Sequence, residues 1–305
     1  MQKPVGLIIF VIVAGLCLAV ILAYRQEISF YVKLYQAYRT AQRFRADYPH
    51  LGRDVAFHPN MEPRLDVYSP AEGSAHPVVV FVHGGSWKSY DKNLFAPVAT
   101  RLLPENIVVV IPDYTLHPEA RYEQMTHEVA AALSWTLDNI DRYGGDPQRV
   151  VIAGHSAGAH LAALAIMDPR FMATYGHRSA EICGYVGLSG VYDVQAEFDY
   201  WQSRGSAPQV ILDVMGGEQN LDIASPIRYV RADLPPFLVI HGDDDQTVPV
   251  EIGTAFHAAL QTAGAESTLG LYPGSGHSDY LFAALADESA PVVTDILSFV
   301  RSCRP

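Results

Sequence analysis

One serine lies in a pentapeptide that could make it a nucleophile. Residues 154–158 read GHSAG, so Ser156 has a glycine on either side at the spacing G-x-S-x-G. A short apolar run, 150–153, precedes the motif, and a stretch rich in Ala and Leu, 157–167, follows it. A strand, a sharp turn and a helix in that order expose a serine hydroxyl for attack on a carbonyl carbon. The pattern therefore predicts Ser156 as a nucleophile.

A serine hydroxyl is a weak nucleophile and needs a base. For a serine placed on such a turn, the acid and then the histidine follow it in the chain. His277 ends the segment GSGH, 274–277, a flexible loop after the last predicted strand, and is our predicted base. His177 is a further late candidate, His257 lies inside a predicted helix, and His241 ends a strand, where we expect a structural role.

Three consecutive carboxylates are candidates for the acid. Asp243, Asp244 and Asp245 follow a predicted strand at 237–240. One of them must accept a hydrogen bond from the histidine ring, which fixes its tautomer and stabilises the imidazolium. Spacing alone does not choose among the three, and we expect the other two to lie in a solvated loop.

A glycine-rich segment could stabilise the charge that acyl transfer creates. Residues 83–87 read HGGSW and follow the apolar run 78–82. Backbone N–H groups aimed at the developing oxyanion lower the barrier, and losing one donor typically costs about 10²–10³ in rate. We predict Gly84, Gly85 and Ala157 as the oxyanion donors.

Around these motifs, strands alternate with helices. Strands are predicted at 66–68, 78–82, 107–111, 150–153, 185–188, 237–240 and 268–272, and helices at 94–103, 123–143, 157–167, 252–263 and 291–303. Such alternation predicts an α/β domain over residues 51–305, with a mostly parallel central sheet and helices on both faces. The irregular stretch 192–235 is either an insertion over the site or connecting structure.

The N-terminal segment differs from the rest of the chain. Residues 5–24 carry no charge, and twenty helical residues span about 30 Å, the thickness of a hydrocarbon core. We expect residues 1–25 to be a single-pass membrane anchor, with a signal sequence as the rival. Residues 26–50 are predicted to form an amphipathic helix that packs on the domain, lies at the membrane surface where it caps the active-site mouth, or does both. Four basic residues follow the apolar segment: Arg25, Lys33, Arg39 and Arg43. Because positive charge beside a membrane span is enriched on the cytoplasmic side, we expect the catalytic domain on that side.

Composition narrows the possible partners. The formal net charge of −12 argues against a nucleic-acid partner.

The three cysteines, Cys17, Cys183 and Cys303, are expected to be reduced thiols, although a single bridge between Cys183 and Cys303 is the alternative. The motifs imply no metal and no organic cofactor, and the oligomeric state stays open.

Together, the GHSAG turn, the glycine loop and the late histidine resemble the α/β-hydrolase superfamily. Residues 65–300 are most similar to a branch that holds hormone-sensitive-lipase-like carboxylesterases, kynurenine formamidase and isoprenylcysteine methylesterase. Further matches are LDVY at 65–68, PDY at 112–114 and YGGDP at 143–147. The branch pattern H-G-x-x-D-x-x-V-P implies Asp245 as the acid, with Asp244 as the alternative. Ser86 replaces a third glycine of the lipase relatives and, with Trp87, resembles the H-G-G-x-W subgroup of formamidases and prenylcysteine esterases.

These inferences predict a serine carboxylesterase that acts on a small or lipophilic ester through an acyl-enzyme on Ser156. The resemblance and the apolar N-terminal segment favour a substrate such as a prenylcysteine methyl ester. An amidase, formamidase or exopeptidase with the same triad is the first alternative, and a non-catalytic binding protein of the same fold is the second.

Overall fold

The structure is a computed structural model that describes residues 25–206, 208–286 and 289–304. The predicted membrane segment, 5–24, lies outside these residues. Within the described ranges, no helix combines the length and the apolar character needed to cross a membrane.

Eight strands form one sheet. In chain order they are β1 (Leu51–Val55), β2 (Leu65–Tyr68), β3 (His76–Val82), β4 (Val108–Pro112), β5 (Gly145–His155), β6 (Gly184–Leu188), β7 (Phe237–Gly242) and β8 (Ser267–Tyr272). Their spatial order is β1-β2-β4-β3-β5-β6-β7-β8, and β2 runs antiparallel to both of its neighbours. All other pairs are parallel, so the carboxyl ends of β3, β5, β6, β7 and β8 meet at one edge.

Eleven α-helices connect and cover the described strands. They are α1 (Arg25–Asp47), α2 (Lys92–Phe95), α3 (Pro97–Leu102), α4 (Tyr122–Asn139), α5 (Ala157–Met167), α6 (Pro169–Ala173), α7 (Val194–Ser203), α8 (Gln209–Met215), α9 (Val250–Thr262), α10 (Asp279–Ala286) and α11 (Pro291–Ser302). Two apolar cores, one on each face of the sheet, confirm the expected layering. Every residue of β4 and of β6 is buried, as the continuous apolar runs of these central strands predict.

The elements depart from the prediction at several places, three of which have a clear cause or consequence. Strand β1 was not expected, because none of its residues is buried and Arg53 and Asp54 are exposed, so it carries no apolar signal. The helix expected at 94–103 is two helices, since Pro97 has no backbone N–H and begins α3. The irregular stretch 192–235 contains α7 and α8.

Helix α1 packs on the catalytic domain through its C-terminal half. It contacts α2, α3 and α10, with Ala41 buried and Phe44 half-buried. Arg45 Nε donates to Asp66 Oδ2 at 2.8 Å, which fixes the end of α1 to β2. Tyr38, on the same helix, is 48% exposed. Helix α1 thus packs on the domain, and its predicted position at the membrane surface stays a prediction.

The expectation of three reduced thiols is wrong for two of them. Cys183 and Cys303 form a disulfide, with their Cα atoms 5.6 Å apart. Cys183 directly precedes β6 and Cys303 caps α11, so the fold brings together two cysteines separated by 120 residues. Cys17 lies outside the described residues.

Candidate active site

Ser156 occupies the turn between β5 and α5. Its backbone has φ 54° and ψ −123°, a conformation that L-residues rarely adopt and that marks a strained functional turn. The two glycines of the motif permit the turn: a Cβ on Gly154 would lie 2.6 Å from the Gly158 carbonyl, and one on Gly158 would lie 2.2 Å from the Val82 carbonyl oxygen. The G-x-S-x-G spacing is therefore a packing requirement as well as a chemical one.

The acid and the base meet at the carboxyl ends of β7 and β8. His277 Nδ1 donates to Asp245 Oδ2 at 2.8 Å. The other carboxylate oxygen accepts from the backbone N–H groups of Thr247 and Val248, each at 2.9 Å. Burial would raise the pKa of Asp245, but hydrogen bonds from His241 and His277 outweigh it and hold that pKa well below its usual range. Asp245 is thus an anion suited to stabilise an imidazolium.

The neighbouring aspartates have other surroundings. Asp244 is exposed and accepts from Gln246 Nε2 at 3.2 Å. Asp243, also exposed, accepts from the backbone N–H of Gly274 at 2.6 Å. Only Asp245 of the three contacts His277, so the geometry agrees with the acid implied by the resemblance.

His241 has the structural position expected of it. The ring is fully buried, and the single Nε2–H is shared between the Val248 carbonyl oxygen at 2.9 Å and Asp245 Oδ2 at 3.3 Å. His257 is on α9 and bonds Ser267, and His177 pairs with Glu181, so neither approaches Asp245. Among the late histidines, His277 alone is placed to serve as the base.

The hydrogen bonds of the described residues show how the nucleophile and the base are connected. The hydrogen bonds found in the described ranges include none between Ser156 Oγ and the His277 ring. Such contacts are often long in a ligand-free enzyme and shorten when substrate binds. The connection runs instead through His155, the residue before the serine, whose Nε2 lies 3.0 Å from the His277 carbonyl oxygen.

The predicted oxyanion donors lie around Ser156. A Cβ on Gly84 would meet the Ser156 Cβ at 3.2 Å, and Gly85 has φ +129°, which favours glycine. Ala157 is the first residue of α5, where helical N–H groups have no partner within the helix. Gly84 therefore lies against the serine and Ala157 follows it in the chain, and the role of the three N–H groups as oxyanion donors stays a prediction.

Aromatic side chains hold the glycine loop in place. His83 stacks on Tyr114 with ring centroids 4.5 Å apart, and the Tyr114 hydroxyl donates to the His83 carbonyl at 3.0 Å. Tyr114 ends the PDY motif, so two motifs that are separate in sequence form one support for the oxyanion loop.

A second support was missed from the sequence. Trp87 Nε1 donates to His160 Nδ1 at 3.2 Å, and His160 Nε2 donates to the Ala224 carbonyl at 2.8 Å. Burial lowers the pKa of His160 to about 4, which keeps the ring neutral and able to accept. The chain thus links the HGGSW loop to α5 and to the segment before Ser225. The available signal was that Trp87 lies in the HGGSW motif and that His160 follows the GHSAG motif by two residues.

Within the ranges that the structure describes, no cation site accompanies these residues. Over the described parts of the chain, no three His, Cys, Asp or Glu side chains gather in a way that could hold a metal ion.

Two solved structures have a similar fold. Thermogutta terrifontis esterase 2, phosphoramylated by tabun, matches with a TM-score of 0.68 and 23% identity over 85% of this chain and 98% of the other. A truncated carbohydrate esterase from gut microbiota matches with a TM-score of 0.70 and 22% identity over 84% and 96% of the two chains. At this identity the likeness shows the α/β-hydrolase fold.

Proteins found by sequence comparison have a higher identity to this chain than the two solved structures have. An isoprenylcysteine alpha-carbonyl methylesterase of Arabidopsis thaliana is 31% identical over 82% of this chain and 62% of its own length. An esterase of Mycobacterium tuberculosis is 32% identical over 75% of this chain and 59% of its own. The chain spans 52–64% of the length of five plant methylesterases that it matches.

A family model, BD-FAE, matches residues 65–260, which is more than half of the chain and includes Ser156, Asp245 and the oxyanion loop. The chain therefore belongs to the BD-FAE family of α/β-hydrolase carboxylesterases.

Proposed function

We propose that the protein is a serine carboxylesterase that forms an acyl-enzyme on Ser156. The observation that carries the proposal is the joint geometry of the strained Ser156 turn and the His277–Asp245 hydrogen bond of 2.8 Å beside it. The esterase names of relatives that are 31% and 32% identical over the aligned residues support the same reaction.

The chemistry follows from the positions of the groups. His277 takes the proton of Ser156 Oγ as the oxygen attacks the ester carbonyl. The oxyanion accepts hydrogen bonds from the backbone N–H groups of Gly84, Gly85 and Ala157. His277 then gives the proton to the leaving alkoxide, and the alcohol departs. Water attacks the acyl-enzyme with His277 again as base, which releases the acid and restores Ser156.

A matched pair of substrates tests the reaction type. The full-length protein in detergent is given a p-nitrophenyl ester and the p-nitroanilide of the same acyl group, together with an N-formyl amine. We expect the ester to have the highest kcat/KM, and a preference for the amide or formamide would establish the amidase alternative instead.

A Ser156→Ala variant tests the nucleophile. Its ester turnover should fall by several orders of magnitude. A fluorophosphonate probe should label the wild-type protein and not the variant. Folded wild-type protein that resists the probe would support the non-catalytic binding alternative.

For the substrate, we propose a lipophilic ester of the prenylcysteine methyl ester class. The support is the name of the plant relatives and the apolar segment at 5–24. Comparing S-farnesyl- and S-methylcysteine methyl esters tests it, since the two share the reacting group and differ only in the thioether chain. Equal kcat/KM for both would exclude selection for the prenyl group.

We also propose that residues 5–24 hold the catalytic domain at a membrane. The segment carries no charge, and α1, which follows it, exposes Val32 and Tyr35 beside Arg39. Val13→Arg together with Leu16→Arg should move the full-length protein to the soluble fraction, because each central arginine costs about 2.5–3.5 kcal/mol on insertion. Unchanged membrane association of this double variant would contradict the anchor.

For the side of the membrane, we propose the cytoplasmic one. The basic flank, with Arg25 and Arg39, supports the cytoplasmic side. The Cys183–Cys303 disulfide supports the opposite side, because such bonds persist in oxidising compartments. Protease protection in sealed, right-side-out vesicles separates the two, since only an outward-facing domain is cleaved.

A further inference from the structure

The loop that carries His277 lies between β8 and α10 and is held on one side by the acid loop. Asp243 Oδ1 accepts from the Gly274 N–H at 2.6 Å, and the Asp244 N–H donates to the Ser275 carbonyl at 3.1 Å. These contacts fix the base relative to the acid, but they do not fix the base relative to the nucleophile.

The contact on the nucleophile side comes from His155. Its Nε2 lies 3.0 Å from the His277 carbonyl oxygen and 3.4 Å from Ser278 Oγ. The rings of His155 and His277 lie 4.9 Å apart at an angle of 49°. Since His155 is covalently bonded to Ser156, this hydrogen bond is a two-residue path from the nucleophile to the backbone of the base.

The protonation state of His155 suits this contact. Burial, and to a lesser degree the nearby His277 ring, lower the pKa of His155 to about 3, so the ring is neutral at neutral pH. A carbonyl oxygen only accepts, so Nε2 carries the proton and donates. A neutral ring also avoids repelling the imidazolium that His277 becomes during the reaction.

His155 contacts the oxyanion loop as well. A Cβ placed on Gly84 would lie 2.9 Å from His155 Nδ1 and 2.8 Å from the His155 carbonyl oxygen. The side chain therefore lies between the predicted oxyanion glycine and the base loop, and its own backbone leads into the serine. Each of the three parts of the site touches this one residue.

We propose that His155 is a positioning residue: through its hydrogen bond to the His277 carbonyl, it sets the distance between the His277 ring and Ser156 Oγ. The proposal rests on the esterase activity proposed above. A displacement of about 1 Å at a reacting group can cost about 10²-fold in rate. An apolar residue of similar size would fill the space but would not hold the loop.

The test compares replacements that differ in where they place a donor. His155→Leu removes the donor and should lower kcat about 100-fold, while KM changes about twofold or less. His155→Gln places an amide N–H where Nε2 lies and should recover kcat to within about tenfold. His155→Asn is polar but too short to reach His277 and should not recover it.

Controls separate this proposal from the proposed function. His257 also forms a side-chain hydrogen bond, of 2.8 Å to Ser267, but lies on α9 away from the triad, so His257→Leu should leave kcat unchanged. A wild-type protein without ester turnover would overturn the proposed function. An active wild type with Leu, Asn and Gln variants of equal kcat would overturn the role of His155. If His155→Leu does not fold, the ratio of Gln to Asn decides: a ratio near one refutes the proposal.

Discussion

His277 Nδ1 donates a 2.8 Å hydrogen bond to Asp245 Oδ2, and the Asp245 side chain has no exposed surface. Water therefore does not solvate the carboxylate, and its charge is balanced by donors of the protein: His277, His241 and the backbone N–H groups of Thr247 and Val248. In this setting the anion can stabilise the His277 imidazolium without competition from solvent.

Replacing Asp245 with Asn should lower kcat by about 10⁴-fold, because an amide can donate to His277 Nδ1 and then favours the wrong tautomer. The matched control is Asp244→Asn, which alters the exposed neighbour that contacts Gln246. Steady-state ester hydrolysis by both purified variants checks the prediction. A larger loss in the Asp244 variant would assign the acid to that residue.

The sequence predicted the site better than it predicted the surroundings of the site. Ser156 and His277 follow from local signals, since a strained turn needs its two glycines and the loop after β8 offers one histidine. Asp245 required the resemblance, because three adjacent carboxylates have the same chemistry. What separates them is contact with His277 and His241, and such contacts depend on the packing of β7 against β8.

Long-range pairs were less visible for the same reason. The Cys183–Cys303 bridge joins residues 120 positions apart, and Trp87 reaches His160 across 73 positions. The local periodicity of the sequence does not indicate which residues so far apart in the chain will be in contact. Strand β1 was missed because its pairing with β2 involves backbone hydrogen bonds, which polar residues form as readily as apolar ones.

Glu197 should make stability depend on pH. It lies on the buried face of α7, and its Oε2 has no hydrogen-bond partner in the described part of the chain. Burial, with a contribution from the Asp245 charge, raises the pKa of Glu197 to about 8 from its usual value of 4.5. Between these values the unfolded chain binds fewer protons than the folded one, so the free energy of unfolding falls as pH rises.

Glu197→Gln removes this titration. From about pH 5 to 8 the variant should gain stability relative to the wild type, by at most about 1.4 kcal/mol per pH unit. Urea unfolding at several pH values measures the difference. Glu123→Gln, at an exposed position of α4, is the control. Its free energy of unfolding should depend on pH in the same way as that of the wild type. If the free energy of unfolding of Glu197→Gln also depends on pH as that of the wild type does, the prediction is contradicted.

Trp87→Phe tests the support of the oxyanion loop. The variant keeps an aromatic ring but loses the Nε1–H that His160 Nδ1 accepts. Leaving a buried acceptor without a partner should cost about 1–3 kcal/mol in the free energy of unfolding. Denaturant titration checks the value, and Trp135→Phe, at a half-buried position of α4, controls for the loss of an indole. Equal effects of the two changes would show that the hydrogen bond contributes nothing.

The last prediction concerns the bridge between Cys183 and Cys303. Because the bridge closes a loop of 120 residues, it restricts the unfolded chain, and its loss should cost about 2–5 kcal/mol. Cys303→Ser should therefore unfold at a lower temperature than the oxidised wild type. Dithiothreitol should lower the unfolding midpoint of the wild type toward that of the variant and leave the midpoint of the variant unchanged.

The bridge also lies at the amino end of β6, whereas Ser156 lies near the carboxyl ends of the strands. Well below the unfolding temperature, kcat should thus be the same with and without reductant, and a reductant-dependent kcat would show that the bridge acts on the site and not only on stability.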